Sequence, residues 1–255
     1  MYQTCHVIEN QQLCEGFLRL RLEVGEMAAA MRPGQFVMLK CWDGDEPFFM
    51  RPFSINMADK KNQTLDLLYK LVGQGTKKME KLQAGDCATI MGPLGHGFPL
   101  HPNHKTIAIL GRGIGAAPMR FLARQAVDQG MAVHVFLSAS RREYLFDLED
   151  YRKMGAEVYS SWDNRQDISQ KLCRLLPIIE PDAIYTCGSK RFIHTLQQIR
   201  QSTGLPCYAS LEEHMACGVG ACKGCTCSLQ DQAGKQTTAQ VCHDGPVFPA
   251  ERIVR

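Results

Sequence analysis

The sequence lacks the features that mark a protein for nucleic acid, for a membrane or for export. Its 29 basic and 26 acidic residues leave a formal net charge of only +3, and no basic run supports nucleic-acid binding. No apolar run approaches the roughly 20 residues that a bilayer-spanning helix needs. The first residues show no positive segment followed by an apolar core, so no export signal is predicted. We therefore expect a cytoplasmic protein with no nucleic-acid or membrane partner.

Cysteine, by contrast, is abundant, with 12 residues in a chain of 255. A secreted disulfide framework is expected in a shorter chain behind a signal peptide, so we predict mostly free thiols in a reducing compartment. Cys217, Cys222, Cys225 and Cys242 fall at the spacing Cys-x4-Cys-x2-Cys…Cys, the plant-type pattern for a [2Fe–2S] cluster. The glycines between them suit a tight loop whose backbone amides point at cluster sulfurs.

Zinc is the alternative occupant of these cysteines. A zinc site usually takes two separated Cys-x2-Cys or Cys/His pairs. Here Cys222 and Cys225 form one such pair, and no second pair faces it. The spacing therefore favours an iron–sulfur cluster, which carries one electron at a time.

Residues 1–100 are predicted to form an antiparallel β-barrel. Alternating or short apolar runs recur at 17–24, 35–39 and 64–70, and turn residues such as Pro33-Gly34 separate them. Short alternating runs broken in this way are typical of antiparallel strands in a small barrel. The only helical period in this region is short and lies at 76–82.

Three clusters in this region contain residues that could bind a cofactor. An Arg-Pro-Phe-Ser turn offers a guanidinium fork suited to a pyrophosphate, and a Gly-x-Gly-Thr segment leads into a helix start, where exposed amides favour anions. The third cluster is the glycine-rich turn 92–98. No single cluster is sufficient evidence for a binding site, since such turns are usually structural. The candidate residues are Arg51, Pro52, Phe53, Ser54, Leu68, Tyr69, Lys70, Gly75 and Thr76.

Residues 101–208 are predicted to form an α/β domain with a doubly wound parallel sheet that binds NAD(P). An apolar run at 105–110 leads into a glycine turn, and a helical pattern ending near Gly130 follows. Strand, glycine turn and helix in this order predict a phosphate-binding loop. Further strands are expected at 132–137 and 183–188, with a helix at 143–154 between them. The predicted loop residues are Gly111, Gly113, Ile114 and Gly115.

The choice between NAD and NADP stays open at this point. The acidic residue expected near the end of the second strand of an NAD site is absent. Arg141 and Arg142 follow that strand instead. They could accommodate a 2′-phosphate, or they could be a solvated loop.

Residues 209–255 are predicted to form a small iron–sulfur domain. From Leu211 onwards regular periodicity fades and glycine, cysteine and turn residues dominate. This composition is expected for a unit held together by metal rather than by a core. The whole chain is thus a multi-domain protein of barrel, nucleotide domain and cluster domain.

The three barrel clusters, in this order, resemble the ferredoxin–NADP reductase superfamily, in which an Arg-Pro-x-Ser motif binds FAD. The resemblance implies that Arg51 contacts the pyrophosphate and that Ser54 lies close to the reactive flavin edge. Tyr69 would stack on or border the ribityl and adenine portions, while Gly75 and Thr76 would contact phosphate. Cys187 matches a Cys-Gly pair that often lies beside the nicotinamide in this superfamily, although a buried strand cysteine is the alternative. Ser54 and Cys187 are therefore the expected catalytic residues.

With its C-terminal segment, the chain resembles the electron-transfer subunits of type B dihydroorotate dehydrogenase over essentially its whole length. The most selective parts are the run from Leu211 through Cys222 and the ending Asp244-Gly245-Pro246-Val247-Phe248. This resemblance implies that the four cysteines at 217, 222, 225 and 242 ligate the cluster and that Cys227 is a neighbour. It further implies a partner, the FMN-containing dihydroorotate dehydrogenase catalytic subunit of pyrimidine biosynthesis, in a hetero-oligomer expected to be a heterotetramer.

Two other functions are compatible with the same motifs. One is a reductase subunit for a different partner, such as an NAD(P)H:ferredoxin oxidoreductase; co-purification of an FMN-containing subunit would separate the two. The other is a non-catalytic redox-sensing module, which turnover with NAD(P)H and a dye would argue against. A sensor has no need for a complete nucleotide domain, so the enzyme interpretation is favoured.

Overall fold

The chain begins with a closed six-stranded barrel in the computed structural model, which describes residues 1–163, 167–231 and 233–254. The strand order around the barrel is β1-β2-β5-β4-β3-β6, and every neighbouring pair is antiparallel. The strands are β1 (Tyr2–Cys14), β2 (Phe17–Glu23), β3 (Phe36–Lys40), β4 (Arg51–Asp59), β5 (Thr64–Lys70) and β6 (Cys87–Leu94). The predicted antiparallel barrel is confirmed.

Alternation along the strands decides which side chains fill the barrel. In β2, Leu18, Leu20 and Leu22 point into the barrel core, whereas Arg19 and Arg21 lie on its outer face. This is the period of two expected for a strand with one buried face. Two short helices, α1 (Met27–Ala30) and α2 (Gln74–Met79), connect strands.

Five parallel strands form the second unit. They are β7 (Thr106–Arg112), β8 (Ala132–Ala139), β9 (Glu157–Trp162), β10 (Ala183–Cys187) and β11 (Cys207–Ser210). Their order is β11-β10-β7-β8-β9. The connecting helices are α3 (Met119–Asp128), α4 (Leu148–Lys153), α5 (Ile168–Ile179) and α6 (Lys190–Thr203).

Strand β7 shows that helices cover both faces of this sheet. Ile107 and Ile109 pack in a core with α3, whereas Ala108 and Leu110 pack in a second core with α5 and α6. The sequence of a strand that is buried on both faces is a nearly continuous apolar run. The doubly wound parallel sheet is thereby confirmed.

The helix predicted at 143–154 is shorter than expected. A single turn of 3-10 helix, Arg142–Tyr144, comes first, and the α-helix begins only at Leu148. Between them Asp147 has a φ of 64°. A residue in this left-handed conformation cannot belong to a right-handed helix, so the segment is divided there.

The C-terminal segment is more regular than predicted and shares the central sheet. A hairpin of β12 (Thr226–Gln230) and β13 (Gln236–Gln240) follows the cysteine loop. Strand β14 (Val247–Pro249) then pairs antiparallel with β11. A domain boundary between 208 and 209 would thus fall inside a strand.

No helix in the described part of the chain is long and apolar enough to cross a membrane.

Candidate functional site

A cleft of about 490 Å³ opens between the barrel, the nucleotide domain and the C-terminal segment. The structure brings all nine barrel residues predicted to bind a cofactor to this cleft: Arg51, Pro52, Phe53, Ser54, Leu68, Tyr69, Lys70, Gly75 and Thr76. Phe36 and Pro246 add apolar surface, and Ile114 comes from the nucleotide domain. The walls therefore combine a largely apolar lining with a few polar groups, as ligand clefts usually do.

Arg51 lies where the barrel meets helix α2. Its Nη1 donates to the Phe49 carbonyl at 2.7 Å, and its guanidinium lies 5.9 Å from the Trp42 ring centroid. A Cβ at Gly75 would come within 3.1 Å of Arg51 Cγ and Nε. Glycine thus allows the α2 turn to approach the arginine closely. The remaining guanidinium donors suit a pyrophosphate beside this turn, so the residues fit FAD.

The Thr76 side chain stabilises the turn that begins α2. Its hydroxyl accepts from the amides of Val72 and Gly73 at 3.0 and 3.1 Å and donates to the Gly73 carbonyl at 3.0 Å. The side chain is buried. The hydroxyl of Thr76 therefore holds the turn, so a phosphate contact of this residue would have to use its backbone amide.

Ser54 and Tyr69 differ in how they face the cleft. Ser54 on β4 is half-buried, and within the described residues its hydroxyl makes no hydrogen bond, so it can meet a ligand. Tyr69 shares the inner face of β5 with Leu67 and is 1% exposed. Its hydroxyl donates to Asn10 Oδ1 at 3.0 Å inside the barrel. This direction differs from stacking of the ring on a flavin, whereas the position of Tyr69 in the cleft lining is compatible with a residue that borders it.

The glycine loop after β7 reaches the end of β10. Gly111 pairs with Cys187 across the sheet, and Gly113 has a φ of 52°. A Cβ added at Gly115 would overlap the backbone of Gly188. Glycines are therefore required where these two strand ends meet, at the carboxyl edge of the sheet where dinucleotides bind.

Cys187 lies behind the cleft wall. It is 1% exposed, and its Sγ lies 3.9 Å from Glu212 Oε1. Burial, and then the charge of Glu212, raise the pKa of the Cys187 thiol well above its usual range. The thiol stays neutral, and Glu212 rather than Cys187 lines the cleft.

The third wall of the cleft was missed from the sequence. Residues 210–215 line it, including Glu212, His214 and Met215. The sequence could have predicted this wall, because the segment directly follows the last parallel strand. Ligands bind outside the carboxyl ends of such strands.

Three of the predicted ligand cysteines lie in one loop, and Cys242 reaches them from the end of the β12–β13 hairpin, with backbone amides directed at the sulfurs. The amides of Val219 and Cys222 lie 3.5 and 3.4 Å from Cys217 Sγ, and the amide of Gly220 lies 3.1 Å from Cys242 Sγ. Such donors stabilise thiolate charge. Burial alone would raise the pKa of Cys217, but these amides lower it to about 6.

The cysteines associate as two pairs. Cys217 and Cys222 are joined through the Cys222 amide, and the sulfurs of Cys225 and Cys242 lie 3.2 Å apart. Among the described residues, no group of three or more His, Cys, Asp or Glu side chains is placed to hold a single metal ion. One tetrahedral zinc would need four converging ligands. Two pairs instead suit a cluster with two irons.

Cys225 and Cys242 are buried, whereas Cys222 is exposed. Burial, with the neighbouring Cys225 thiol, raises the pKa of Cys242 to about 12. Cys227 lies on β12 opposite Ala239 and packs in the core below the loop. Its position agrees with the expectation that it is a neighbour of the ligands.

The two arginines after β8 contact their own surroundings. Arg141 pairs with Glu143 at 3.4 Å. Arg142 lies 5.5 Å from the Trp162 ring centroid. Neither contact requires a 2′-phosphate.

Comparisons with known proteins agree with this geometry. Residues 212–254 match the family described as the iron–sulfur cluster binding domain of dihydroorotate dehydrogenase B, and residues 4–98 match the oxidoreductase FAD-binding domain family. The chain is 37% identical to the electron transfer subunit of dihydroorotate dehydrogenase B (NAD(+)) from Listeria monocytogenes, over 97% of this chain and 96% of that protein. It is 32% identical to the Bacillus mycoides subunit of the same name, over 99% and 98%.

Among solved structures, the NADH-dependent reduced ferredoxin-NADP oxidoreductase is similar with a TM-score of 0.85. The likeness covers 98% of this chain and 89% of that one at 20% sequence identity. At this identity it shows the shared fold.

Proposed function

Since the chain belongs to the family of electron transfer subunits of dihydroorotate dehydrogenase B, we propose that it relays electrons between NAD(H) and a partner that oxidises dihydroorotate to orotate in pyrimidine biosynthesis. It is an oxidoreductase subunit with FAD, a [2Fe–2S] cluster and NAD(H) as cofactors. When bound, these groups supply two-electron exchange at the nicotinamide and one-electron exchange at the cluster. The relay would run from the partner to NAD.

The observation that carries the proposal is that the segment lining the flavin cleft leads directly into the cysteine loop. Residues 210–215 line the flavin cleft, and the cysteine loop begins immediately afterwards at Cys217. Gly218 of this loop packs against Met38 of the barrel, since a Cβ there would come within 2.8 Å of Met38 Cγ. The cleft and the cysteine loop are thus neighbours, as an electron relay requires.

Each set of residues has one task in this proposal. Arg51 binds the FAD pyrophosphate, and Ser54 orients the reactive edge of the ring. The loop of Gly111, Gly113, Ile114 and Gly115 holds the dinucleotide. Cys187 is a neutral thiol beside the nicotinamide position. The thiolates of Cys217, Cys222, Cys225 and Cys242 hold the cluster.

The surface around the cysteine loop supports a partner at this face. Cys222 is exposed, and the Val219 side chain beside it is 48% exposed. Phe48 and Phe49 are 67% and 49% exposed, and they precede Met50, which packs against the core under the loop. Exposed aromatic side chains favour a protein–protein contact. We propose the FMN-containing catalytic subunit as that partner, in a heterotetramer.

The place of action that we propose is the cytoplasm. None of the described cysteines forms a disulfide. A cysteine-rich chain of this kind suits a reducing compartment.

Reduction by the two substrates tests the proposed function. The full chain, reconstituted with FAD and cluster, is mixed with NADH or with dihydroorotate, alone and after co-expression with the catalytic subunit. We expect NADH to bleach the flavin absorbance in both samples and dihydroorotate to do so only in the complex. Cys222→Ser serves as the control that lacks an intact relay. Failure of dihydroorotate to reduce the complex would overturn the assignment of the partner.

A further inference from the structure

A partly buried group of charged side chains joins the outer face of the barrel to the nucleotide domain. We call it the interdomain cluster. Three members come from the barrel strands β2 and β5, and three come from α3 and the start of α4. They are Arg19, Arg21, Asp66, Arg120, Asp147 and Asp150.

Arg120 is the centre of this cluster. Its Nη1 lies 3.2 Å from Asp66 Oδ2 on the barrel, and its Nη2 lies 2.7 Å from Asp150 Oδ2 on its own domain. Asp66 is held in turn by Arg21 through two hydrogen bonds of 2.7 and 2.9 Å. A second link crosses the interface where Arg19 pairs with Asp147.

The cluster is neutral and its centre is largely dry, while Arg21 and Asp150 at its rim are 40% and 34% exposed. Three arginines face three aspartates, and the exposed fractions of the Asp66, Asp147 and Arg120 side chains are 4%, 4% and 12%. Buried ion pairs add little stability over apolar packing, because desolvation offsets their attraction. They do penalise any arrangement that separates the partners. Such a cluster therefore restricts the orientation of the two domains.

Asn56 connects the cluster to the flavin cleft. It is fully buried, and its Nδ2 donates to the Ala117 carbonyl at 2.8 Å and to Asp147 Oδ2 at 3.3 Å. Its Oδ1 accepts from Arg120 Nη1 at 3.3 Å. One side chain thus bonds a backbone atom at the cleft wall and two members of the interdomain cluster.

The position of Asn56 in β4 is irregular. The pairing of β4 with β5 shifts between Ile55 and Met57, so Asn56 is the extra residue of a β-bulge. A bulge re-aims a side chain that regular pairing would direct elsewhere. Asn56 follows Ser54 by two positions on the flavin-binding strand, while Ala117 closes the nucleotide loop. The bulge therefore ties these two segments together directly.

Asp147 meets the cluster from a backbone conformation that is uncommon for residues other than glycine. Its φ is 64°, and its carboxylate contacts Arg19 and Asn56. Such conformations persist where the surroundings fix them. The β-bulge at Asn56 and the left-handed backbone of Asp147 thus both direct side chains into the interdomain cluster.

On the basis of the NADH–FAD exchange proposed above, we propose that Asn56 and Arg120 are positioning residues that fix the distance between the nicotinamide and the flavin. In this step a hydride carries two electrons from NADH, which becomes NAD+, to the flavin ring, which becomes its reduced anion. Misplacement of reacting atoms by about 1 Å can lower a rate about 100-fold. Neither residue lines the flavin cleft, so they act on the rate and not on the affinity for either cofactor.

The test is single-turnover reduction of the full, FAD-loaded chain by saturating NADH. For Asn56→Leu, which removes all three hydrogen bonds, we expect the rate of flavin reduction to fall by about 10- to 100-fold. The dissociation constants of FAD and of NAD+, measured by fluorescence and calorimetry, should change less than about threefold. Arg124→Met is the matched control, because Arg124 lies one turn further along α3 and pairs with Asp128 at an exposed site.

A second variant guards against a failure of Asn56→Leu to fold. Arg120→Lys keeps the charge but cannot bridge Asp66 and Asp150 with one ammonium group. We expect it to retain both cofactors and to show a reduction rate between those of the wild type and Asn56→Leu. Rates equal to the wild type in the folded variants, or a loss of FAD affinity parallel to the loss of rate, would overturn the positioning role. A wild-type chain that NADH does not reduce would overturn the proposed function as well.

Discussion

The flavin cleft and the cysteine loop are neighbours that the chain builds in different ways. Phe36 and Leu68 of the cleft belong to barrel strands and are only 3% and 5% exposed. The cysteine loop between Met215 and Thr226 contains no helix or strand. Its shape comes from glycines and from amides that face sulfur. Packed strands therefore shape the cleft without a ligand, whereas a loop of this kind depends on metal for its stability.

The largest expected effect comes from Cys225→Ser compared with Cys222→Ser. Both changes remove a cluster ligand, so iron should fall from about two per chain to almost none. Cys225 is also buried against Cys242, and an unpartnered hydroxyl there should lower the melting temperature by several degrees. FAD should remain bound in Cys222→Ser, because the barrel holds most of the cleft. Iron analysis, flavin absorbance and thermal melting check this prediction.

Cys173→Ser is the matched control for these variants, since Cys173 is exposed on α5. It should leave iron, FAD and melting temperature unchanged. Loss of FAD together with iron in Cys222→Ser would show that the cleft depends on the cluster through residues 210–215.

A smaller effect is expected from Arg51→Ala. One charge-assisted hydrogen bond to the pyrophosphate contributes about 1.5–3 kcal/mol, so the FAD dissociation constant should rise by roughly 10- to 150-fold. Folding should change little, because the Arg51 hydrogen bonds within the protein go to the carbonyls of Phe49 and Met50. Fluorescence titration with FAD gives the affinity, and iron content should stay constant.

Arg32→Ala provides the comparison for Arg51→Ala. Arg32 also donates to nearby backbone carbonyls of the barrel, those of Ala29 and Met31, but it does not line the cleft. Its removal should leave FAD affinity unchanged. Equal effects of both substitutions would show that Arg51 acts on the barrel and not on FAD.

Local sequence patterns were sufficient for the barrel strands and for the parallel sheet. Alternation predicts the buried leucines of β2, and the apolar run before Gly111 predicts a buried strand, because both depend only on neighbouring residues. The same alternation could have placed Tyr69 inside the barrel with Leu67.

Contacts between distant segments could not be predicted in this way. Asp66 and Arg120 meet only after two domains have folded and docked. The position of residues 210–215 on the cleft depends on β14 joining the sheet beside β11. The late start of α4 follows from Asp147, whose left-handed backbone serves partners on the barrel. These features depend on tertiary packing, which local propensity does not contain.

The smallest expected effect, from Cys227→Ala, tests where the loop ends and the regular fold begins. Cys227 follows Cys225 by two positions, yet it belongs to β12, and its side chain packs in the core with Leu229. Iron content and the electron paramagnetic resonance spectrum of the reduced cluster should therefore match those of the wild type. Loss of one buried sulfur should cost about 1 kcal/mol of unfolding free energy, measured by denaturant titration. A shifted spectrum would show instead that the Cys227 sulfur can reach iron, and that strand β12 does not hold Cys227 away from the cluster.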